Sequence, residues 1–382
     1  MPEENIPVFM PYFTDAEMKI SADALELRWL GPGKYVKDFE LALASFLEVE
    51  PWQVVAVNTG ASAVHMALEL CDVSAGDEVI TPSFNNIADF QMIRAMRAEP
   101  VFCDVLEDTL TIDPSKIEAL ITVKTKAIIC LDYGCTLCDF DAVKAIGDKH
   151  NIPVIYDAAH SFGSSHSGQK IGSYGDFVTF SFDPVKNITC IDGGAVIVKS
   201  KEHAQRIQHM RLLGQQQNQD LLDQNKRGWR YDVDGPGYRY HLANLHGAIG
   251  IAQMEKIDDI FKQRKRVFGL YDAALGNVDG MVRPVKNGED LMPFLYVVRI
   301  LKGRRQEFQD YLAQHGVDTG IHWQPGHRFS GFKECRAGDL SVTDKIVREI
   351  VSLPLYPELS DKNIHYIINV IQRFFKQKVA GE

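Results

Sequence analysis

Apolar runs of strand length alternate with amphipathic stretches between residues 54 and 198. The helical patterns between them include ASAVHMALELC, IADFQMIRAMRA and DFDAVKAIGDKHN. Nearly continuous apolar strands separated by helices are typical of an α/β fold with a mostly parallel sheet covered by helices. In such a sheet, ligands bind beyond the carboxyl ends of the strands. The predicted strands are VVAVNT, DEVITPS, EPVFCDV, KAIICLDY, PVIYDAA, DFVTFSF and GAVIV.

The alternation stops after residue 200, where a polar helix leads into a loop rich in charge and glycine at 225–241. A long helical section follows, and the remainder mixes strand and helix patterns. We therefore predict a large domain at 1–255 and a smaller C-terminal α+β domain at 256–382. The first ~20 residues are expected to pack on the small domain.

Composition narrows the class of protein. Of 382 residues, 45% are hydrophobic and 24% charged, which describes an ordinary globular protein. The net charge of −10 argues against a nucleic-acid or anionic-membrane surface, which would need a clustered basic face. The chain shows no leader pattern at its start and no apolar run of membrane-spanning length, so we expect no membrane segment and a cytoplasmic location.

The seven cysteines are odd in number and lie mostly in apolar runs, which predicts reduced, buried thiols. Cys135 and Cys138 form a C-x-x-C pattern. No second Cys or His pair stands at ligand spacing, and no thioredoxin-like context surrounds the pair, so we expect two small residues in a loop and no metal site.

Two polar residues stand where predicted strands end. Asp157 follows the strand PVIY directly, and Lys186 lies 29 residues later, after the next strand. Because the carboxyl ends of parallel strands share one edge of the sheet, an acid and a lysine are expected to meet there. The apolar sequence on either side of Lys186 predicts a partly desolvated amine.

A third strand ends in a turn that opens a helix, with the sequence NTGASAVHMAL. The start of a helix presents free N–H groups and the positive end of a dipole, so Gly60, Ala61 and Ser62 predict a cup for a phosphate. Each feature alone has an ordinary structural explanation, as a helix cap, a turn or a solvated lysine. Lysine, carboxylate and phosphate cup together indicate a pyridoxal phosphate (PLP) site.

At these residues the sequence resembles the DegT/DnrJ/EryC1/StrS aminotransferases, which are fold-type-I PLP enzymes that act on keto sugars carried on nucleotides. The resemblance covers nearly the whole chain, and its blocks stand in family order. These blocks are GPGKYVKDFE, NTGASAVHMAL, GDEVITPSF, PVFCDV, YDAAHSFG, SFDPVKNITCIDGG, GYRYHLANLHGAIGIAQ, GIHWQPGH and LPLYPELSD.

The resemblance implies a role for each matching residue. Lys186 would be the Schiff-base lysine, Asp157 the partner of the pyridine nitrogen and His160 a neighbour of the ring. Family members are homodimers with shared active sites, so the loop at 225–241 would reach into the partner's site. The residues implied for the cofactor phosphate are Ser181, Gly60, Ala61 and Ser62, and those implied for the sugar substrate are His322, Trp323, Arg230 and His327.

Two departures from the family pattern concern the cofactor. Ala61 stands where the family often has a threonine, which removes a hydroxyl but no backbone donor. Asn86 stands where an aromatic residue usually stacks on the ring, and Phe84 is a possible substitute.

Three further departures lie elsewhere. In the segment donated by the partner, Arg239 replaces an asparagine and His241 an arginine; Arg239 is still expected to bind the cofactor, because a guanidinium can bind phosphate. Asp192 takes the place of a glutamate. These changes predict a divergent subgroup with an unusual sugar.

The resemblance implies a PLP-dependent aminotransferase with the amine form of the cofactor, PMP, as an intermediate. Glutamate would be the amino donor and a nucleotide-linked 3- or 4-keto-6-deoxyhexose the acceptor, in a pathway such as lipopolysaccharide O-antigen synthesis. One alternative is a PLP-dependent sugar dehydratase of the same family, although such members replace the lysine by histidine. Another is a non-catalytic PLP-binding regulator. A nicotinamide dehydrogenase is disfavoured because no G-x-G-x-x-G follows any predicted strand.

Overall fold

The computed structural model of the protein describes residues 5–233, 235–285, 287–288 and 290–376. No helix in these ranges is both long enough and apolar enough to span a bilayer. The strands are β1 Val54–Val57, β2 Glu78–Pro82, β3 Glu99–Cys103, β4 Thr125–Leu131, β5 Val154–Asp157, β6 Ser165–His166, β7 Gln169–Lys170, β8 Phe177–Ser181, β9 Gly194–Val198, β10 Met281–Val282, β11 Tyr296–Ile300 and β12 Ile350–Leu353. The helices are α1 Asp15–Glu26, α2 Lys34–Leu47, α3 Gly60–Leu70, α4 Ile87–Ala95, α5 Pro114–Ile117, α6 Phe140–His150, α7 Lys201–Met210, α8 Gln219–Asp223, α9 Asn244–Glu255, α10 Ile257–Leu275, α11 Arg305–Gln314, α12 Ser341–Ile346 and α13 Asp361–Lys376.

The main sheet has seven strands in the order β1-β9-β8-β5-β4-β2-β3. The pairs from β8 to β3 are parallel, whereas β9 is antiparallel to both of its neighbours. These are the strands that the apolar runs predicted. The predicted α/β class with a mostly parallel sheet is therefore confirmed.

Helices cover both faces of this sheet. Side chains alternate along a strand, so Val54 and Ala56 join one hydrophobic cluster with residues of α2 and α6. Val55 and Val57 join another cluster with residues of α3 and α7. Burial on both sides explains why the strands are apolar without alternation.

The turns that matter for chemistry lie at one edge of the sheet. β1 runs in the same direction as β8, because β9 is antiparallel to both. The carboxyl ends of β1, β2, β5 and β8 therefore lead into α3, α4, the turn after Asp157 and the loop that carries Lys186. This is the edge at which ligands bind in parallel sheets.

A second, antiparallel sheet has the order β10-β11-β12 and its own hydrophobic cluster with α10, α11 and α13. Ile6 from the start of the chain belongs to this cluster and pairs with Val317. The predicted division after residue 255 falls at the junction of α9 and α10. The exact boundary stays a prediction.

Candidate active site

A cavity of about 440 Å³ lies at the carboxyl edge of the main sheet. Its size is within the range of small-molecule and cofactor sites. It is lined by residues from the ends of the main-sheet strands and by Phe294, which stands shortly before β11 of the second sheet. The predicted site residues that line it are Gly60, Ala61, Asn86, Asp157, His160, Ser181, Lys186, His322 and Trp323.

One end of the cavity is the start of α3. Thr59 caps the helix, and its Oγ1 accepts the N–H of Ser62 at 3.0 Å. Helix geometry then leaves the N–H groups of Gly60 and Ala61 free for an external acceptor. A Cβ on Gly60 would lie 2.7 Å from Cβ of Ser181, so only glycine lets this serine pack against the turn.

Ser62 does not line the cavity. Its hydroxyl donates to the carbonyl oxygen of Thr59 at 2.8 Å, which completes the cap of α3. The backbone N–H groups of the helix start and the Ser181 hydroxyl are therefore the donors available to a phosphate at this end.

The loop after β8 carries Lys186, and hydrogen bonds from this loop and from α10 fix its backbone. Its N–H donates to the carbonyl oxygen of Asp183 at 3.0 Å, and its carbonyl oxygen accepts Nη2 of Arg264 at 3.1 Å. The Nζ atom lies 4.7 Å from the centre of the Phe294 ring. Burial lowers the pKa of Lys186, although the carboxylates of Asp157 and Asp183 oppose this. A larger fraction of neutral amine, the nucleophilic form, follows.

Asp157 ends β5 and is 5% exposed. Its Oδ1 accepts the N–H of Ala159 at 3.0 Å and the hydroxyl of Thr179 at 3.5 Å. Burial raises the pKa of Asp157 to about 6, while the Ala159 hydrogen bond and the charge of Lys186 lower it. A cationic group in the cavity would favour its ionised form.

Aromatic rings pack around His160. It stacks on Trp323 with ring centres 4.9 Å apart and lies 4.4 Å from Phe294. The N–H of Gly134 donates to His160 Nδ1 at 3.1 Å, so the ring proton is on Nε2. Burial, followed by the charges of Lys186 and His322, lowers the pKa of His160 well below its usual value. The imidazole is therefore neutral.

His322 lies at the side of the cavity formed by the C-terminal part of the chain. Its Nδ1 is 2.9 Å from Oγ of Ser352, and Phe9 packs edge-on at 5.3 Å. Burial, and then the charge of Lys186, lowers the pKa of His322 to about 4. The ring is thus a neutral hydrogen-bonding group at neutral pH.

Asn86, which stands where the family usually has a ring-stacking aromatic residue, is the N-cap of α4. Asn86 lines the cavity, and its Oδ1 accepts the N–H of Ala88 at 2.9 Å. Phe84 does not line it, since its ring packs 5.1 Å from Tyr133 in the core. The rings that line the cavity among the described residues are Phe9, His160, Phe180, Phe294, His322 and Trp323.

Besides Ser62, three predicted residues do not line this cavity. Arg230 and Arg239 are exposed. His327 is held by other side chains, with Nδ1 2.8 Å from Oγ of Ser83 and Nε2 3.3 Å from Oδ1 of Asp344. Asp234, within the loop expected to reach the partner, lies outside the described residues.

Sequence reasoning missed Asp89 and two aromatic residues. Asp89, in the first turn of α4, lines the cavity with 1% exposure. Acidic residues are common in the first turn of a helix because they interact favourably with the helix dipole, so nothing in the sequence indicated that Asp89 belongs to the site. Phe9 and Phe294 come from distant parts of the chain and carry no local motif.

The C-x-x-C pattern has no metal-site geometry. Within the part of the chain that the structure describes, no group of three or more His, Cys, Asp or Glu residues could hold a metal ion. The N–H of Cys138 instead donates to Oδ1 of Asp132 at 2.8 Å, and Cys135 lines a separate small pocket.

The residues present fit pyridoxal phosphate. Free N–H groups at a helix start suit its phosphate, a buried carboxylate suits its ring nitrogen, and a desolvated lysine suits its aldehyde. The narrow space between Gly60 and Ser181 places a hydroxyl beside those N–H groups. Fold and site together define a PLP-dependent enzyme.

Comparison with known proteins identifies the family. The model of the DegT/DnrJ/EryC1/StrS aminotransferase family matches residues 11–372. The chain therefore belongs to this family, and it is a PLP-dependent aminotransferase. The resemblance seen in the sequence is confirmed.

Three relatives illustrate the similarity. The spore coat polysaccharide biosynthesis protein SpsC of Bacillus subtilis (strain 168) is 30% identical over 97% of each chain. The aminotransferase TlmJ of Streptoalloteichus hindustanus is 28% identical with a TM-score of 0.89, over 96% of this chain and 98% of TlmJ. Spr1654 of Streptococcus pneumoniae, named as a sugar aminotransferase, is 26% identical with a TM-score of 0.90, over 97% and 99%. Spr1654 has been solved in PLP and PMP forms.

Proposed function

We propose that this protein is a sugar aminotransferase that transfers the amino group of glutamate to a nucleotide-linked 3- or 4-keto-6-deoxyhexose. The observation that carries the proposal is one cavity lined by Lys186, by Asp157 and by the start of α3. The names of SpsC and Spr1654 support a sugar substrate. The presence of lysine at 186 disfavours the dehydratase alternative.

In this proposal the cofactor phosphate binds at the start of α3. The N–H groups of Gly60 and Ala61 and the hydroxyl of Ser181 donate to it, aided by the helix dipole. Ala61 contributes its backbone only, so the missing hydroxyl removes one side-chain donor. The ring would extend from there toward Asp157, which holds the ring nitrogen.

Lys186 has two tasks. Its Nζ attaches the resting cofactor, and after release it takes a proton at Nζ and returns it to the reacting atoms. The bound cofactor supplies an electron sink and carries the amino group between donor and acceptor as PLP and PMP. Burial, which lowers the pKa of Lys186, makes the neutral amine available for both tasks.

The mouth of the cavity would bind the sugar. His322 and Trp323 lie on the side away from the main sheet, where a neutral imidazole can hydrogen-bond a hydroxyl. His327 does not line the cavity and is engaged with Ser83 and Asp344, so we propose a supporting role for it rather than a contact with the sugar.

We also propose a homodimer with shared active sites. In the loop at 225–241, Trp229 is 83% exposed and Val233 51% exposed, and apolar side chains of this kind favour a covered surface. Arg230 and Arg239, which are exposed here, would then reach the partner's cavity. We further propose the domain division at residue 255, a cytoplasmic location and a role in an amino-sugar pathway such as lipopolysaccharide O-antigen synthesis.

The test is amino transfer itself. Purified protein is incubated with ¹⁵N-glutamate and nucleotide-linked 3- and 4-keto-6-deoxyhexoses, and mass spectrometry follows the label. We expect ¹⁵N in one amino sugar, and none with Lys186→Ala. Loss of water from the sugar without nitrogen transfer would favour a dehydratase, and turnover with a different amino donor only would refute glutamate.

A further inference from the structure

Arg264 is a buried cation to which the proposed function assigns no task. It lies on α10, and its side chain is buried. Within the described part of the chain, no carboxylate forms an ion pair with it, and its Nε has no hydrogen-bond partner. Burial lowers the pKa of Arg264 to about 9, so the guanidinium stays charged at neutral pH. A buried charge without a counter-ion is costly, so its presence here indicates a specific contact.

The guanidinium joins two backbone carbonyl groups from distant parts of the chain. Nη2 donates to the carbonyl oxygen of Lys186 at 3.1 Å, and Nη1 donates to that of Pro293 at 3.5 Å. The planar fork of an arginine holds two acceptors at a fixed separation, which the compact charge of a lysine does not. Arg264 therefore links the loop that carries Lys186 to the segment shortly before β11.

The segment that Arg264 holds also carries the ring beside the lysine amine. Phe294 follows Pro293 directly, is buried and lines the cavity. The centre of its ring lies 4.7 Å from Nζ of Lys186. One arginine thus binds the backbone of the lysine and the residue next to the ring that the amine contacts. The position of the amine relative to this ring depends on both hydrogen bonds.

The other hydrogen bonds of the lysine loop come from the large domain. The N–H of Lys186 donates to the carbonyl oxygen of Asp183 at 3.0 Å, within the same turn. Nδ2 of Asn187 donates to the carbonyl oxygen of Phe162 at 3.1 Å. Among the hydrogen bonds of the described residues, that of Arg264 is the one that links this loop to the segment before β11. No side chain nearby duplicates its contact.

We propose that Arg264 is a positioning residue for Lys186, which it fixes beside Phe294 by holding the carbonyl oxygens of Lys186 and Pro293 in one guanidinium. The amine is then placed to attach the cofactor. In attachment, the nitrogen of Lys186 replaces the aldehyde oxygen of PLP, which leaves as water with the two protons of the neutral amine. Such a step depends on the orientation of the reacting groups. The inference rests on the role of Lys186 in the proposed function, but not on the sugar or the donor.

Paired binding measurements on the full-length, cofactor-free protein test this role. PLP can bond to the lysine, whereas PMP carries an amine in place of the aldehyde and cannot; the phosphate and the ring nitrogen are the same in both. Arg264→Met keeps the length of the side chain and removes both donors. The affinity for PLP should fall about tenfold, as for a lost hydrogen bond to a charged group, while that for PMP should change less than about twofold.

Two further variants separate positioning from general destabilisation. Arg266, on the same helix, also donates to two backbone carbonyl oxygens, those of Leu359 at 2.8 Å and Pro357 at 3.3 Å, but it makes no contact with the lysine loop. Arg266→Met should therefore keep the wild-type preference for PLP over PMP. Arg264→Lys keeps the charge without the fork. Its preference should lie between those of wild type and Arg264→Met, and it replaces that variant if methionine prevents folding.

Two results would overturn the inference. One is an unchanged preference for PLP over PMP in Arg264→Met, and the other is an equal loss of affinity for both ligands, which indicates packing alone. Both ligands are measured on the same sample, so a partly unfolded fraction affects them alike. Lys186→Ala separates this failure from failure of the proposed function. If the preference persists in Lys186→Ala, both proposals fail; if it is lost there but kept in Arg264→Met, only the role of Arg264 fails.

Discussion

The two ends of the cavity use different chemistry. At the start of α3, the donors are mostly backbone N–H groups, which the helix fixes whatever side chains surround them. At the end proposed to hold the cofactor ring, Lys186, Asp157 and Asp89 are buried titratable side chains whose pKa values are all displaced by burial. At the phosphate end, cofactor binding should therefore tolerate substitutions that do not fill the space for the phosphate. At the ring end, each substitution of a titratable residue should change turnover or cofactor binding.

The largest effect should come from Lys186→Ala. Loss of the group that attaches the cofactor and moves the proton should lower turnover by roughly 10²- to 10⁴-fold, as for a lost acid–base residue. Steady-state kinetics measure it, with Lys201→Ala on the exposed face of α7 as the control. Turnover within a few fold of wild type would remove Lys186 from the mechanism.

Gly60→Val tests the phosphate end by filling the space beside Ser181. A Cβ at this position would lie 2.7 Å from Cβ of Ser181, and overpacking of this kind costs ~1–3 kcal/mol. Cofactor affinity should fall about 10- to 100-fold by equilibrium titration. Ala61→Ser is the matched control, because it keeps the backbone and adds only a hydroxyl. If both variants bound PLP equally, the helix start would not be the phosphate site.

Asp157→Asn tests the ring end by removing the negative charge of the carboxylate. A neutral amide cannot hold a protonated ring nitrogen as a carboxylate does, so turnover should fall at least about tenfold, the change that 1.4 kcal/mol produces. Kinetics with added PLP in excess separate this loss from weaker binding. Unchanged turnover at saturating PLP would show that another group performs this task.

The smallest effect should appear in cofactor-free stability. The pKa of Asp157 is raised to about 6 on folding, so its stabilising contribution is complete below its unfolded pKa near 4 and is lost as pH rises through about 6. Asp157→Asn should then melt above wild type at pH 8, with the gap closing toward pH 4. A gap that does not change with pH would argue against a buried, titrating Asp157.

The main sheet could be predicted because buried parallel strands leave unbroken apolar runs. Asp157 and Gly60 could be predicted for the same reason, since each follows such a run directly, and Lys186 could be predicted because it lies in the loop after the next run. Asp89 could not, because only the docking of α4 buries it. Phe294 reaches the cavity from the far part of the chain, which no local pattern reveals.

Ser62 shows the limit of inference from residue type. Its position at a strand-to-helix turn suits phosphate binding and helix capping equally. The structure assigns its hydroxyl to the cap, where it donates to Thr59. The conformation of the backbone at this turn decides between the two roles, and the residue type alone does not specify that conformation.

The most direct test of the account is the visible absorption spectrum of the purified protein before and after glutamate is added, beside Lys186→Ala. We predict that wild type shows the band of lysine-bound cofactor and that glutamate bleaches it, whereas the variant lacks the band. The absence of any band after soaking in PLP would contradict the site as described. A band that glutamate leaves unchanged would contradict glutamate as the donor.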